Sequence, residues 1–303
     1  IKDELCDLVI PEDEWAKWWQ GARNKLKKDT LVESPKKLKE PFQLRQSELT
    51  HEQQLQKILD KKPDVNNLIE ILYSFIRDFP SALKKAEFKS TLILHLCDMR
   101  QHKEVNQAQE LQLLFFLSDL NSDQEEGEIS EIIKRASSLV EITQNIEIVA
   151  FKKRFLSLVM KYREDWHQLF LELFLMSIQN PTRDYILQQL LKAGKRDEVI
   201  AKIEEMLSHP HQSPHAFLWY FGKIMDNQEL PFSDADGKNR FLENFFVLLY
   251  LVERDLNDRD LAKKMHNFLT ADRYSMVRKI FENAPIEVVK EILLLSTKCQ
   301  ALD

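Results

Sequence analysis

The stretch NPTRDYILQQLLKAGKRDEVIAKIEEMLSHPHQSPHAFLWYF, residues 180–221, decides how the chain folds. Proline has a fixed φ that suits the first helical turn and lacks the N–H that a helix interior needs. Pro181 therefore predicts a helix start, with Asn180 as its cap. Tyr185, Leu187, Leu190 and Leu191 follow as its apolar residues, and Gly194 ends it, because glycine enters left-handed backbone without a Cβ penalty. A second helix over Arg196–Leu207 comes next. Ser213–Pro214 then repeats the cap-then-proline start ahead of Phe217, Leu218 and Phe221. Pro181 and Pro214 are 33 residues apart, close to one helical-hairpin repeat.

Outward from this stretch the same signals recur. Asp13–Lys28 reads as a first helix, its lysine-rich end suited to the negative pole of the helix dipole. Thr50 with Gln53 makes a capping box. Asp64 precedes Leu68, Ile71, Leu72 and Phe75, which share one helical face. Helical patterns continue over Glu110–Leu120, Ile129–Ile142 and Ile146–Tyr162, and Ala284–Pro285 begins a last helix carrying Val288, Val289, Ile292, Leu293 and Leu295. Residues 30–47, interrupted by Pro35 and Pro41, read as irregular or short extended structure. The fold class that follows is all-α, an irregular α-solenoid of stacked helical hairpins, with a globular bundle as the alternative. Polar breaks at Asn121–Glu128 and Gln228–Lys238 suggest an organisation into a tryptophan-rich helix with a basic irregular segment (1–48), a helical subdomain (49–122) and a repeat-like helical subdomain (123–303).

Composition agrees. Five glycines and ten prolines in 303 residues leave little material for a fold of many tight turns. Cys6, Cys97 and Cys299 are odd in number and lie far apart, which fits a reduced, cytoplasmic protein rather than a disulfide framework. No apolar run approaches the length of a membrane span, and no signal peptide is recognisable, so no membrane partner is expected. The chain opens on Ile1 rather than methionine, which suits either a trimmed chain or a segment of a longer polypeptide.

The chemistry of catalysis is sparse. The sequence has no glycine-rich phosphate loop, zinc-protease motif or nucleophile elbow. His209, His211 and His215 straddle a predicted helix start and need not converge, so they read as a solvated loop. Asp234, Asp236, Gly237 and Glu243 fall at calcium-loop spacing, but Phe232 and Arg240 occupy two ligand positions; a turn with Asp236 near a helix start fits better. Glu125–Glu126 and Glu204–Glu205 read as solvated faces. Phe115, Phe116, Phe151, Phe155, Phe170, Phe174, Phe245 and Phe246 read as core. No enzyme activity, metal or cofactor is expected.

One segment stands apart. Between Lys17 and Arg45, nine basic side chains face Asp29, Glu33 and Glu40, a balance of +6, so the remaining residues carry −12 of the whole-chain −6. Trp15, Trp18, Trp19 and Ala22 lie three or four apart and form one stripe. Such a helix buries its tryptophans while presenting cations to an acidic surface or a phosphate backbone. Trp18, Trp19, Arg23, Lys27, Lys28, Lys36, Lys37 and Arg45 are the candidate interaction residues.

The segment WAKWWQGARNKLKKD (15–29), followed by a basic stretch ending PFQLR (41–45), resembles the W-x-x-WW-x-x-AR-x-x-LKKD segment of the long-form Gre transcript cleavage factors of chlamydiae and spirochaetes. The match covers Trp15, Trp18, Trp19, Ala22, Arg23, Leu26, Lys27, Lys28 and Asp29. In those proteins a large helical extension precedes the Gre module. The resemblance implies a protein of transcription elongation whose partner is bacterial RNA polymerase. The Gre module itself enters the polymerase with a coiled coil and helps hold a catalytic magnesium through acidic tip residues. No such hairpin can be matched here, and no catalytic residue is carried over.

Three functions follow. The first is a non-catalytic helical scaffold or docking region of a bacterial elongation factor acting on RNA polymerase. The second is a stand-alone α-solenoid adaptor unrelated to transcription. The third is a nucleic-acid-binding module using the basic segment 17–45 for weak contact.

Overall fold

The computed structural model describes residues 2–297 apart from 7, 34, 36–39, 103, 122–124, 177, 257 and 283. The chain forms two compact units, Ile1–Glu126 and Gly127–Asp303. Helices dominate both, and the described residues include a single two-stranded sheet.

The first unit runs α1 (Lys2–Leu5), α2 (Glu12–Lys27), β1 (Val32–Glu33), β2 (Gln43–Leu44), α3 (His51–Leu59), α4 (Val65–Asp78), a 3-10 turn (Pro80–Lys84), α5 (Ala86–Arg100) and α6 (Gln107–Asn121). Its helix starts obey local rules. Thr50 Oγ1 accepts from Gln53 N while Gln53 Oε1 accepts from Thr50 N, the capping box expected from sequence. Asp64 Oδ1 accepts from Asn67 N at 3.1 Å and starts α4. A second reciprocal box, Asn106 with Gln109, begins α6 three residues ahead of the expected Glu110. Every residue from Leu111 to Leu117 is buried. A helix apolar on all sides belongs inside a core, and α4 and α5 pack on this one.

The second unit continues with α7 (Glu126–Arg135), α8 (Leu139–Asn145), α9 (Val149–Tyr162), α10 (Trp166–Leu175), α11 (Asn180–Lys192), α12 (Arg196–Ser208), α13 (Pro214–Asp226), α14 (Ala235–Leu251), a π-helical turn (Val252–Leu256), α15 (Arg259–Phe281) and α16 (Ile286–Ser296). From α8 to α12 each helix meets the next, and α8 meets α10, α9 meets α11, α10 meets α12, α12 meets α14 and α14 meets α16. The heaviest contacts between helices thus join neighbours and next-but-one neighbours, the pattern of a solenoid of stacked hairpins, while Phe174 of α10 also reaches Trp219 and Tyr220 of α13 (ring centroids 5.6 and 6.1 Å).

The quoted stretch folds largely as read, with one shift. Gly194 adopts φ +72°, Lys195 N donates to Leu190 O (2.9 Å) and Gly194 N to Leu191 O (3.1 Å), a Schellman ending for α11. At the other end Gln179 holds the cap position, not Asn180. The Asn180 amide oxygen instead accepts from Arg183 Nη1 (2.8 Å), whose Nη2 donates to Met176 O (2.6 Å) at the end of α10. Arg183 is 1% exposed with these neutral partners, and burial pushes its pKa down to about 10. A buried cation thus seats the carbonyl end of one helix against the start of the next.

The expected single helix over Ile129–Ile142 is two, α7 and α8. Ser138 turns to extended backbone and its hydroxyl accepts from Glu141 N (3.1 Å), starting a new helix where serine competes with the helical ladder. Glu125, read as solvated, is buried directly ahead of α7. Glu204 pairs in two-pronged fashion with Arg240 of α14 (3.0 and 2.6 Å).

The phenylalanines expected in the core are buried. Phe241 on α14 is the hub of a ring cluster: its centroid lies 5.2 Å from Phe217, 5.8 Å from Tyr220, 5.5 Å from Phe221 and 6.3 Å from Phe232. The 232–237 turn seats α14 on this cluster. Asp236 lies in the first turn of α14, near the helix start as expected, and Asp234 is the cap, accepting from Gly237 N at 3.1 Å. Phe232 takes a left-handed φ of +62°.

Candidate functional site

The charged and tryptophan-rich segment builds one surface of the first unit. Helix α2 starts after Pro11, has Glu12, Asp13 and Glu14 in its first turn and Lys25 and Lys27 in its last, each charge matched to the dipole end it occupies. Trp15, Trp18 and Trp19 form a triad in which Trp19 stacks on Trp15 and Trp18 (ring centroids 6.0 and 6.4 Å apart) and Trp15 and Trp18 are tilted at 5.4 Å. The structure corrects one expectation. No residue of α2 is buried, and Trp18 is 39% exposed. Amphipathic spacing sets which residues share a stripe, but it does not say what covers the stripe. Within this chain the cover is partial.

After α2 the chain turns back as a short hairpin, β1 against β2, with Val32 opposite Leu44 and Glu33 opposite Gln43. The hairpin base is tied by polar bonds: Leu31 N donates to Asp29 Oδ1 (2.8 Å), Thr30 Oγ1 to Glu48 Oε1 (2.7 Å), and Arg45 Nη1 to Thr30 O (2.9 Å). Helix α2 packs on β1, and between helix and hairpin lies a groove of about 480 Å³. Trp19, Arg23 and Leu26 line it from the helix; Val32, Phe42 and Leu44 line it from the hairpin. Its floor and rim differ sharply: Val32 is 8% exposed and its cross-strand neighbour Leu44 is 82% exposed. The sequence reading missed Val32, Phe42 and Leu44. Pro35 and Pro41, which lie between the two strands in sequence, were the available signal.

The candidate residues named from sequence fall into three groups. Trp19 and Arg23 line the groove, Trp18 stacks beside it, and Lys27 is exposed on the last turn of α2. Lys28 and Arg45 are paired within the chain, although Lys28 is exposed. The Lys28 ammonium lies 3.0 Å from Asp78 Oδ2 and 5.9 Å from the Phe79 ring, which fastens the end of α2 to α4, while Arg45 braces the hairpin. Hydrogen bonds from Arg77 first and Lys28 second hold the Asp78 carboxyl below its ordinary range. Lys36 and Lys37 lie outside the described residues.

Elsewhere the polar clusters are dispersed. His209, His211 and His215 are all exposed, with the first two rings 6.3 Å apart. Among the described residues no group of three or more His, Cys, Asp or Glu is placed to hold a metal ion. Among them, too, no helix is long and apolar enough to cross a membrane.

Gly21 sits in the interior of α2 with nothing within 4 Å of where a Cβ would be. Gly21→Ala should therefore strengthen the helix by about 0.5–1 kcal/mol. Slower amide exchange across α2 is the expected readout, and faster exchange would show that Gly21 is needed for close approach.

Comparison with known proteins bears on this geometry. Residues 51–303 match the family described as the GreA-associated C-terminal domain, and residues 1–49 match the GRAD helix-turn-helix domain. The chain is 35% identical over 306 aligned positions to a protein of Chlamydia pneumoniae named transcription elongation factor GreA, and 32% identical to its namesake from Chlamydia trachomatis. Both alignments cover 99% of this chain but 42% of the relative, so the chain spans less than half the length of the curated relatives it matches. No solved structure matches.

Proposed function

Since this chain belongs to the GreA-associated C-terminal domain family, we propose that it is the non-catalytic helical docking region of a long Gre-type elongation factor. In this reading it is the amino-terminal extension of such a factor and acts on bacterial RNA polymerase. The observation that carries the reading is the coverage: alignment across 99% of this chain, to relatives named as elongation factors, leaves more than half of each relative for other work. Residues 1–48 then present the docking surface, and the helical segments 49–122 and 123–303 support it.

A protein partner is favoured over nucleic acid by the layout of α2. In helix-turn-helix readers the amino-terminal residues of the second helix approach the base edges. Here that end carries Glu12, Asp13 and Glu14, which would face phosphate with like charge. The exposed aromatic and apolar residues instead suit a protein interface, where tryptophan and arginine dominate the anchoring energy.

The test is retention of purified bacterial RNA polymerase on the immobilised 303-residue chain. Wild type should retain it, and the double variant Trp18→Ser, Trp19→Ser should lose most of it with helix content unchanged, a weakening of at least about tenfold. No retention by the wild-type chain at low salt would sink the docking role.

A further inference from the structure

We propose that the cavity between α3, α4 and α5 receives an arginine side chain from a basic segment of a protein partner. The inference goes beyond the docking reading and does not depend on it, because these three helices, not α2 and its hairpin, carry the residues concerned. The carboxyl ends of α3 and α5 and the amino end of α4 surround a space of about 500 Å³. That volume suits one long side chain and the backbone that carries it. Buried Leu59 and Leu68, with partly buried Val65 and Met99, give the space an apolar lining.

Charge selects the occupant. Four carboxylates line the cavity: Asp60 at the end of α3, Asp64 at the start of α4, Asp98 in the last turn of α5 and Glu104 beyond it. Against them the described lining residues include one ammonium, Lys62, and the imidazoles of His95 and His102. Asp60 and Asp64 accept from neutral amides, Gln56 Nε2 (2.8 Å) and Asn67 N (3.1 Å), and among the described residues no cation pairs with any of the four. Hydrogen bonds from the Asn67 backbone and side chain hold the Asp64 carboxyl below its ordinary range. The helix poles add to the charge: α3 and α5 bring their negative ends to the cavity, while the positive end of α4 is met by its own cap, Asp64. Among the described residues these groups are not placed to converge on a metal ion, so they suit a cation spread over several atoms. Arginine has that form. Its methylene stem can lie along the apolar lining while the planar guanidinium offers five donors to separate carboxylates. Phosphate or an acidic segment would meet like charge here.

Fluorescence anisotropy on the 303-residue chain tests this with a labelled peptide of Lys and Ser carrying one central Arg. Its controls are the same peptide with citrulline for Arg, which keeps the shape and drops the charge, a Glu-rich peptide, and spermidine as competitor. The Arg peptide should bind, and the citrulline and Glu-rich peptides should bind at least about tenfold more weakly. Asp98→Asn combined with Glu104→Gln should weaken the Arg peptide by at least about tenfold. Both side chains are exposed, and Asp98 sits at the negative pole of α5, so an unchanged urea midpoint is expected. Glu70→Gln combined with Glu87→Gln removes the same charge from exposed positions of α4 and α5 outside the cavity, and should leave binding within about twofold. An equal loss in the two double variants would assign the binding to net charge and overturn the site. Displacement of the peptide by spermidine at equal concentration would make the ligand a free polyamine and overturn the protein partner, as would no binding by wild type at low salt. The Arg peptide should bind the Trp18→Ser, Trp19→Ser variant as it binds wild type, so failure of the polymerase docking role leaves this site standing, and the reverse.

Discussion

Replacing Phe241 by alanine should lower the unfolding free energy of the unit that contains it by about 3–5 kcal/mol. The ring is wholly buried and lies in contact with four other rings, two on successive turns of α13, so truncation removes both its own transfer energy and the tilted, stacked and, with Phe232, edge-on ring contacts it shares. Neighbouring phenylalanines are themselves fixed by packing and can close little of the void. Urea unfolding followed by far-ultraviolet circular dichroism would register a lower midpoint with the slope preserved. Phe241→Leu should recover a substantial part of the loss. A midpoint unchanged by Phe241→Ala would show that the cluster is held by the surrounding helices rather than by its central ring.

Gly237→Ala should be nearly as damaging for a different reason. An added Cβ would lie 2.4 Å from Phe232 O, 2.5 Å from its Cα and 2.6 Å from its carbonyl carbon. All three are backbone atoms of a residue already in the left-handed region, so no side chain can swing aside to make room. The turn must open, taking with it the Asp234 cap bond and the seating of α14, for a loss of about 2–3 kcal/mol. Asp234→Ala, which deletes the cap alone, should cost about 1 kcal/mol. If the two variants prove equally stable, the crowding at Gly237 is relieved by a shift smaller than the backbone contacts suggest.

Much of the architecture was legible because its signals are local. Thr50 with Gln53, Asp64, Pro181, Pro214 and Gly194 each act within one helical turn, and each marks a boundary in sequence as it does in space. The phenylalanine positions were legible for a related reason, since helical spacing assigns a face. What escaped depends on partners distant in sequence or on competition between local options. Asn180 could cap or receive a buried arginine, and only the packing of α10 against α11 chooses the latter. Ser138 could ride inside a helix or restart one. The groove joins Trp19 and Leu26 to Leu44 across a hairpin that the sequence reads only as irregular or short extended structure, so its residues were nominated only in part. The tryptophan stripe was found correctly, but its burial was not, because a stripe in sequence carries no information about its cover.

The near-neighbour wiring of the second unit also constrains its ancestry. Deleting or duplicating a whole helical pair leaves every remaining interface with a mate, whereas losing a single helix exposes the faces of the ones on either side. The gene segment encoding such a unit can therefore lengthen or shorten in steps of roughly 20–45 residues while the reading of its ends is kept. Relatives of this chain should differ in length by whole hairpins more readily than by fractions of one.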